Sequence, residues 1–134
     1  MQDSSDVDQP PDFAAGQLWR CAGRSAEESP LLLINRVDPH PRGGEIFQVS
    51  IAGVRVRKPA EASGITTSLP HVPVIRQTFE RSQAEFVRLQ APDPAYLSGH
   101  AQWKREFDTG NAGSFGVSVA EVLDFVERGL AAKR

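Results

Sequence analysis

The stretch EIFQVSIAGVRVRKP, Glu45 to Pro59, constrains the fold more than any other part of the chain. Phe47, Val49 and Ile51 fall on one side of a period-two pattern and Gln48 and Ser50 on the other, as a half-buried strand requires. Ala52-Gly53 stands where a tight hairpin turn is expected. Val54 and Val56 then alternate with Arg55 and Arg57 until Pro59 ends the run. Upstream, QLWRCA from Gln17 alternates in the same way, and LLLINRV from Leu31 is aliphatic and branched enough for a central strand. The polar segment GRSAEESP and the turn segment DPHPRGG separate them. Four short antiparallel strands are therefore expected in residues 17–57, too few for a large sheet and suited to a small, strongly bent barrel.

The second half changes period. Residues 60–70 show none and are expected to form a loop. From Pro73, Ile75, Phe79, Phe86 and Leu89 fall on one helical stripe, with Pro73 in the first turn, where its missing N–H costs nothing. APDPA separates this helix from a second, in which Tyr96, His100, Trp103 and Phe107 recur at i, i+4, i+7 and i+11 as a single aromatic stripe. After the DTGNAGS break, Phe115 to Val117 is expected to add a fifth strand to the exposed sheet edge. SVAE, Ser118 to Glu121, has the form of a capping box, and Val119, Val122, Leu123, Val126 and Leu130 mark the buried face of the helix behind it. The expected fold is α+β, an SH3-like barrel of about five strands packed with three helices.

Bulk properties narrow the class. A chain of 134 residues suits one domain able to bury a core without disulfides or a structural metal. Residues 1–14 hold Asp3, Asp6, Asp8 and Asp12 without a basic partner and read as a disordered acidic leader, leaving residues 15–134 as the domain. Beyond the leader, thirteen acidic residues face fifteen basic ones, a net charge of +2. Such near-neutrality disfavours a dedicated nucleic-acid binder, whose affinity comes largely from counterion release over a basic surface. The aliphatic run at Leu31 to Ile34 is too short to span a bilayer, and the start lacks the basic and apolar segments of a secretory signal, so a cytoplasmic location without membrane association is expected. The single Cys21 forms no internal disulfide and reads as a small strand residue.

GQLWR at Gly16 to Arg20, VSIAGVRVRKP at Val49 to Pro59, HVPV at His71 to Val74 and GHAQWKREFDTGNAGSFGVSVAEVLDFVE at Gly99 to Glu127 together resemble a family of small, uncharacterised bacterial proteins. The resemblance implies a β-rich half followed by a tryptophan-lysine segment, a short strand and a final helix. It implies no activity and no site residues.

The chain carries no nucleophile elbow, no HExxH and no phosphate loop, so no catalytic residue, metal or cofactor is expected. His100 is expected to bury its ring in the aromatic stripe. No Asp, Glu, Cys or second His lies at i±3 or i±4 to orient it. His71, held in LPHVP, would share a cleft with His100 if the fold converged them, and with Glu80 could then hold a metal or run acid–base hydrolysis. His40 is expected to be an exposed turn residue. Arg36, Arg42, Arg55, Arg57 and Lys58 are the best case for a nucleic-acid surface, with Trp19 as a stacking platform. Alternating arginines also guard an edge strand against aggregation.

The expected function is non-enzymatic binding of another protein, immunity-like or regulatory, with Arg55, Arg57, Lys58 and residues 60–70 as nominal contacts. A nucleic-acid-binding barrel is the alternative, and a hydrolase using His71 and His100 the third reading. Oligomeric state is left open.

Overall fold

The computed structural model describes residues 12–58 and 64–132, and it has the antiparallel α+β architecture that the alternating patterns call for. In chain order the elements are β1 (Gln17–Arg20), β2 (Leu31–Pro39), β3 (Glu45–Arg57), β4 (Ile65–Val74), α1 (Arg76–Glu80), β5 (Glu85–Leu89), α2 (Tyr96–Asp108) and α3 (Val119–Ala132). The five strands form one sheet in the order β4-β3-β2-β1-β5, every neighbouring pair antiparallel. Cross-strand pairs such as Leu32 with Ile51, Ile34 with Val49 and Val37 with Phe47 fix the central register by matching apolar residues on one face. The sheet is open, with β4 and β5 as its edges, so the expected closed barrel is replaced by a layered arrangement.

Several sequence expectations change for identifiable reasons. Ala52-Gly53 is no hairpin turn, because β3 runs straight through it as one 13-residue strand. A two-residue type I′ turn needs positive φ at both positions, and only Gly53 has it, at 73°. The result is a bulge, and the register with β4 shifts between Ala52 and Val56. A Cβ on Gly53 would also meet the Ser29 carbonyl at 3.0 Å. Residues 65–70, expected as loop, belong to β4, whose Pro70 and Pro73 are tolerated because the strand is an edge. The rest of that expected loop, residues 60–63, lies outside the described residues.

The long helix expected from Pro73 is only the five residues of α1. The chain turns through Gln83 at φ 53° and pairs as β5 with β1. Phe115 makes a single parallel bridge to Val74 where a fifth strand was expected. Asp12 to Ala14, assigned to a leader, are instead tied to the domain. Phe13 stacks on Phe79 at 4.4 Å and approaches Trp19 at 4.6 Å, and Gln17 bonds both the Asp12 carbonyl and the Ala14 amide. Residues 1–11 lie outside the described residues.

The two faces of the sheet have different fates. Trp19, Leu32, Ile34, Phe47, Val49, Ile51, Val72 and Val74 face a core closed by Phe79 of α1 and by Val119, Val122 and Leu123 of α3. The capping box at the start of α3 forms as its spacing predicts, with the Glu121 amide donating to Ser118 Oγ and the Ser118 amide to Glu121 Oε1. Buried Ser82 adds a second cap by accepting the Val119 N–H. The opposite face carries Leu18, Leu33, Asn35, Asp38, Gln48 and His71, and α2 packs across its β3–β4 part.

Candidate functional site

Between α2 and the sheet lies a chain of buried polar groups drawn from four elements. Asp38, at the end of β2, accepts from Arg36 Nε at 2.7 Å, from Gln48 Nε2 at 3.0 Å and from His100 Nε2 at 3.1 Å. Gln48 Oε1 in turn lies 2.7 Å from His71 Nε2. A carboxylate only accepts, so Gln48 must present its amide nitrogen to Asp38 and its oxygen to His71, and both imidazoles donate through Nε2. The neutral His71 ring then keeps its lone pair on Nδ1. The ring centroids are 6.0 Å apart, and Trp103 closes over them at 5.8 Å from His100 and 6.1 Å from His71. Tyr96 flanks His100 at 5.9 Å.

Electrostatics follow from this packing. Burial, the largest influence, pushes the Asp38 carboxyl up, but bonds from Arg36, His100 and Gln48 outweigh it and hold the group below its ordinary value. Burial pushes the His71 imidazole down to about 4, with the nearby His100 adding to the effect, so His71 is neutral near pH 7. Among the described residues no buried side-chain nitrogen or oxygen lacks a partner. A network satisfied to this degree acts as a clamp that fixes α2 on the sheet. Its chemical capacity is proton acceptance at His71 Nδ1. Among the described residues no group of three or more His, Cys, Asp or Glu side chains is placed to hold a metal ion.

Beside the clamp, α2 leaves the sheet uncovered. A cavity of about 210 Å³ is floored by Leu18, Leu31, Leu33 and Pro70, with Ser50 and Ser68 between them and Arg88 on the rim. The connection from β5 to α2 forms its other wall. Asn35 pins that connection by accepting the Asp93 N–H at 2.7 Å while donating to Ser50 Oγ at 2.7 Å. Leu89 and Leu97, on the same stretch of chain, are 74% and 53% exposed.

The fold does converge His71 and His100, which the sequence left only conditional, and it does so against Asp38 and Gln48 rather than Glu80, which is exposed on α1. Trp19 is only 2% exposed, donates its indole N–H to Gln17, and packs on Phe79 and Phe86. Its ring is not available to stack on a base. Arg57 donates its amide to Glu127 of α3, and Arg24 joins Glu127 to the Arg55 carbonyl, so this end of β3 is knitted to the helix. The Arg57 amide foremost, with the charge of Arg24, keeps the Glu127 carboxyl below its usual value against an opposing effect of burial. Arg55 is exposed and Lys58 half-buried. The Cys21 thiol, buried and pushed up to about 12, is not a nucleophile.

Sequence reasoning missed Asp38 and Gln48. The only local sign was a polar residue at the buried end of an aliphatic strand and another on the polar side of β3. No protein-family model matches the chain, and neither the curated proteins nor the solved structures contain a match to it. The site therefore rests on its own geometry.

Proposed function

We propose that the protein is a non-enzymatic binding module that captures an apolar segment of another polypeptide in the groove beside α2. The observation that supports this is the half-covered second face of the sheet, where aliphatic side chains floor a concavity instead of meeting a helix. At about 210 Å³ the groove is smaller than the roughly 300–1,000 Å³ typical of small-molecule sites, and it suits one or two side chains of a larger partner. Residues 65–70, among the nominal contacts, contribute Ser68, Leu69 and Pro70. A cytoplasmic setting and an immunity-like or regulatory role are part of this proposal, as is membership of the bacterial family whose motifs the chain resembles. Among the described residues no helix is long and apolar enough to cross a membrane.

A photo-crosslinking amino acid at exposed Ala52 or Ser68 of the full chain, expressed in its native host, tests the proposal. The expected result is one discrete adduct from these positions, none from Arg105 on the far side of α2, and its loss when Arg replaces the neighbouring groove residue. Equal labelling from all three positions, or no adduct from a folded protein, overturns it.

A further inference from the structure

We infer that a second cavity, between the β2–β3 connection and the start of α1, binds a small organic anion, a carboxylate or phosphate ester carrying an apolar body. The cavity measures about 570 Å³, within the small-molecule range that the groove falls below. It opens on the α1 side of the sheet, so it is separate from both the groove and the histidine clamp. Phe47 and Ile75 provide its apolar lining. Arg42 comes to it from the connection and Arg76 from α1, two guanidinium groups from different elements.

These donors are not consumed by the fold. The Arg42 guanidinium makes no ion pair or hydrogen bond to a described residue, and neither the Gln77 nor the Ser114 side chain does. Arg76 lies over the Phe13 ring at 5.0 Å and reaches the exposed carboxylate of Asp12 only at 3.8 Å, a contact that a better-placed anion would displace. His40 accepts the Arg42 N–H at Nδ1, so its neutral ring carries the proton on Nε2 as a further donor. Glu45 is the carboxylate in the lining, one charge against two. Two guanidinium groups at an apolar-floored concavity, one with no described partner and one held only by a long contact to an exposed carboxylate, concentrate positive potential there, and their planar forks match carboxylate and phosphate oxygens. Gly43 and Gly44 leave the rim without side chains, so an elongated body can enter.

An amide-resolved NMR titration of the full chain with benzoate, phenyl phosphate, inorganic phosphate and neutral benzamide tests the inference. Benzoate and phenyl phosphate should shift the amides of residues 40–45, 75–77 and 114 saturably, and whichever binds more tightly identifies the preferred head group. Inorganic phosphate and benzamide should each bind at least roughly tenfold more weakly, since each lacks one half of the recognised chemistry. Arg42→Gln should weaken benzoate and phenyl phosphate by at least about tenfold while the remaining spectrum stays that of the folded protein, and Arg42→Lys should lose less. Binding of benzamide as tight as benzoate, inorganic phosphate as tight as phenyl phosphate, an unaffected Arg42→Gln variant, or no saturable shift up to about 10 mM probe would each overturn it.

Discussion

At Gly99, α2 comes within contact distance of the sheet: a Cβ there would lie 2.8 Å from the His71 Cβ and 3.2 Å from its Cγ. The helix would gain about 1 kcal/mol of intrinsic propensity from alanine. The clash is with the root of a strand residue rather than a flexible tip, so the overpacking cost of about 1–3 kcal/mol should dominate. Gly99→Ala is therefore expected to destabilise the protein in urea unfolding, and a variant as stable as the parent would show that α2 slides freely on β4. The aromatic stripe was legible in the sequence because Tyr96, His100, Trp103 and Phe107 share one helix face; the first three are buried and Phe107, stacked on Trp103, is half-buried at its end. What they meet was not legible. Asp38 and His100 are 62 residues apart and Gln48 and His71 are 23 apart, so no local spacing announces either bond.

Among the elements, α2 meets the sheet through buried ionisable groups where the buried face of α3 is aliphatic and its ion pairs lie toward the surface, and this makes the docking of α2 dependent on pH. His71 faces Gln48 and His100, with Asp38 and Arg36 behind them. Its folded value of about 4 lies below the ordinary 6.5, so between these limits the unfolded chain binds a proton that the native state does not. Stability should fall as pH drops from about 6.5 to about 4, by about 1–2 kcal/mol once solvent screening at this half-buried ring is allowed for. His71→Gln should flatten that slope of urea midpoint against pH, whatever its effect at pH 7. An unchanged slope would place the proton uptake elsewhere. Element identity was legible where one period persisted, as in α3, and strand character was legible in β3, although Ala52-Gly53 suggested a hairpin where one strand runs through. It was hidden in β4, where Pro70, His71 and Pro73 interrupt the apolar alternation. It was hidden again in β5, where Phe79 and Phe86 suit one helical stripe yet reach the same core from a helix and, after a turn, a strand.

For the whole molecule, the sheet is a shared wall with a sealed side and a half-open one, and the two sides should not unfold together. The sealed side joins α3, α1 and Phe13 to all three central strands through one continuous apolar cluster. On the other side α2 contributes chiefly Tyr96, His100 and Trp103, with the Trp103 indole also holding the Gly113 carbonyl at 2.8 Å. Elements with few buried apolar contacts open at a lower free energy than the core they rest on. Trp103→Ala should therefore lower hydrogen-exchange protection in residues 96–108 by at least about tenfold while the amides of β2 and β3 stay close to their parent values. Leu123→Ala, which empties a fully buried site in the sealed core, should instead lower protection throughout, by the roughly 2–5 kcal/mol such truncations cost. A parallel loss in every element on Trp103→Ala would mean that the second face is as integral as the first, and the groove beside α2 would then be a fixed recess of the core rather than the margin of a separable layer.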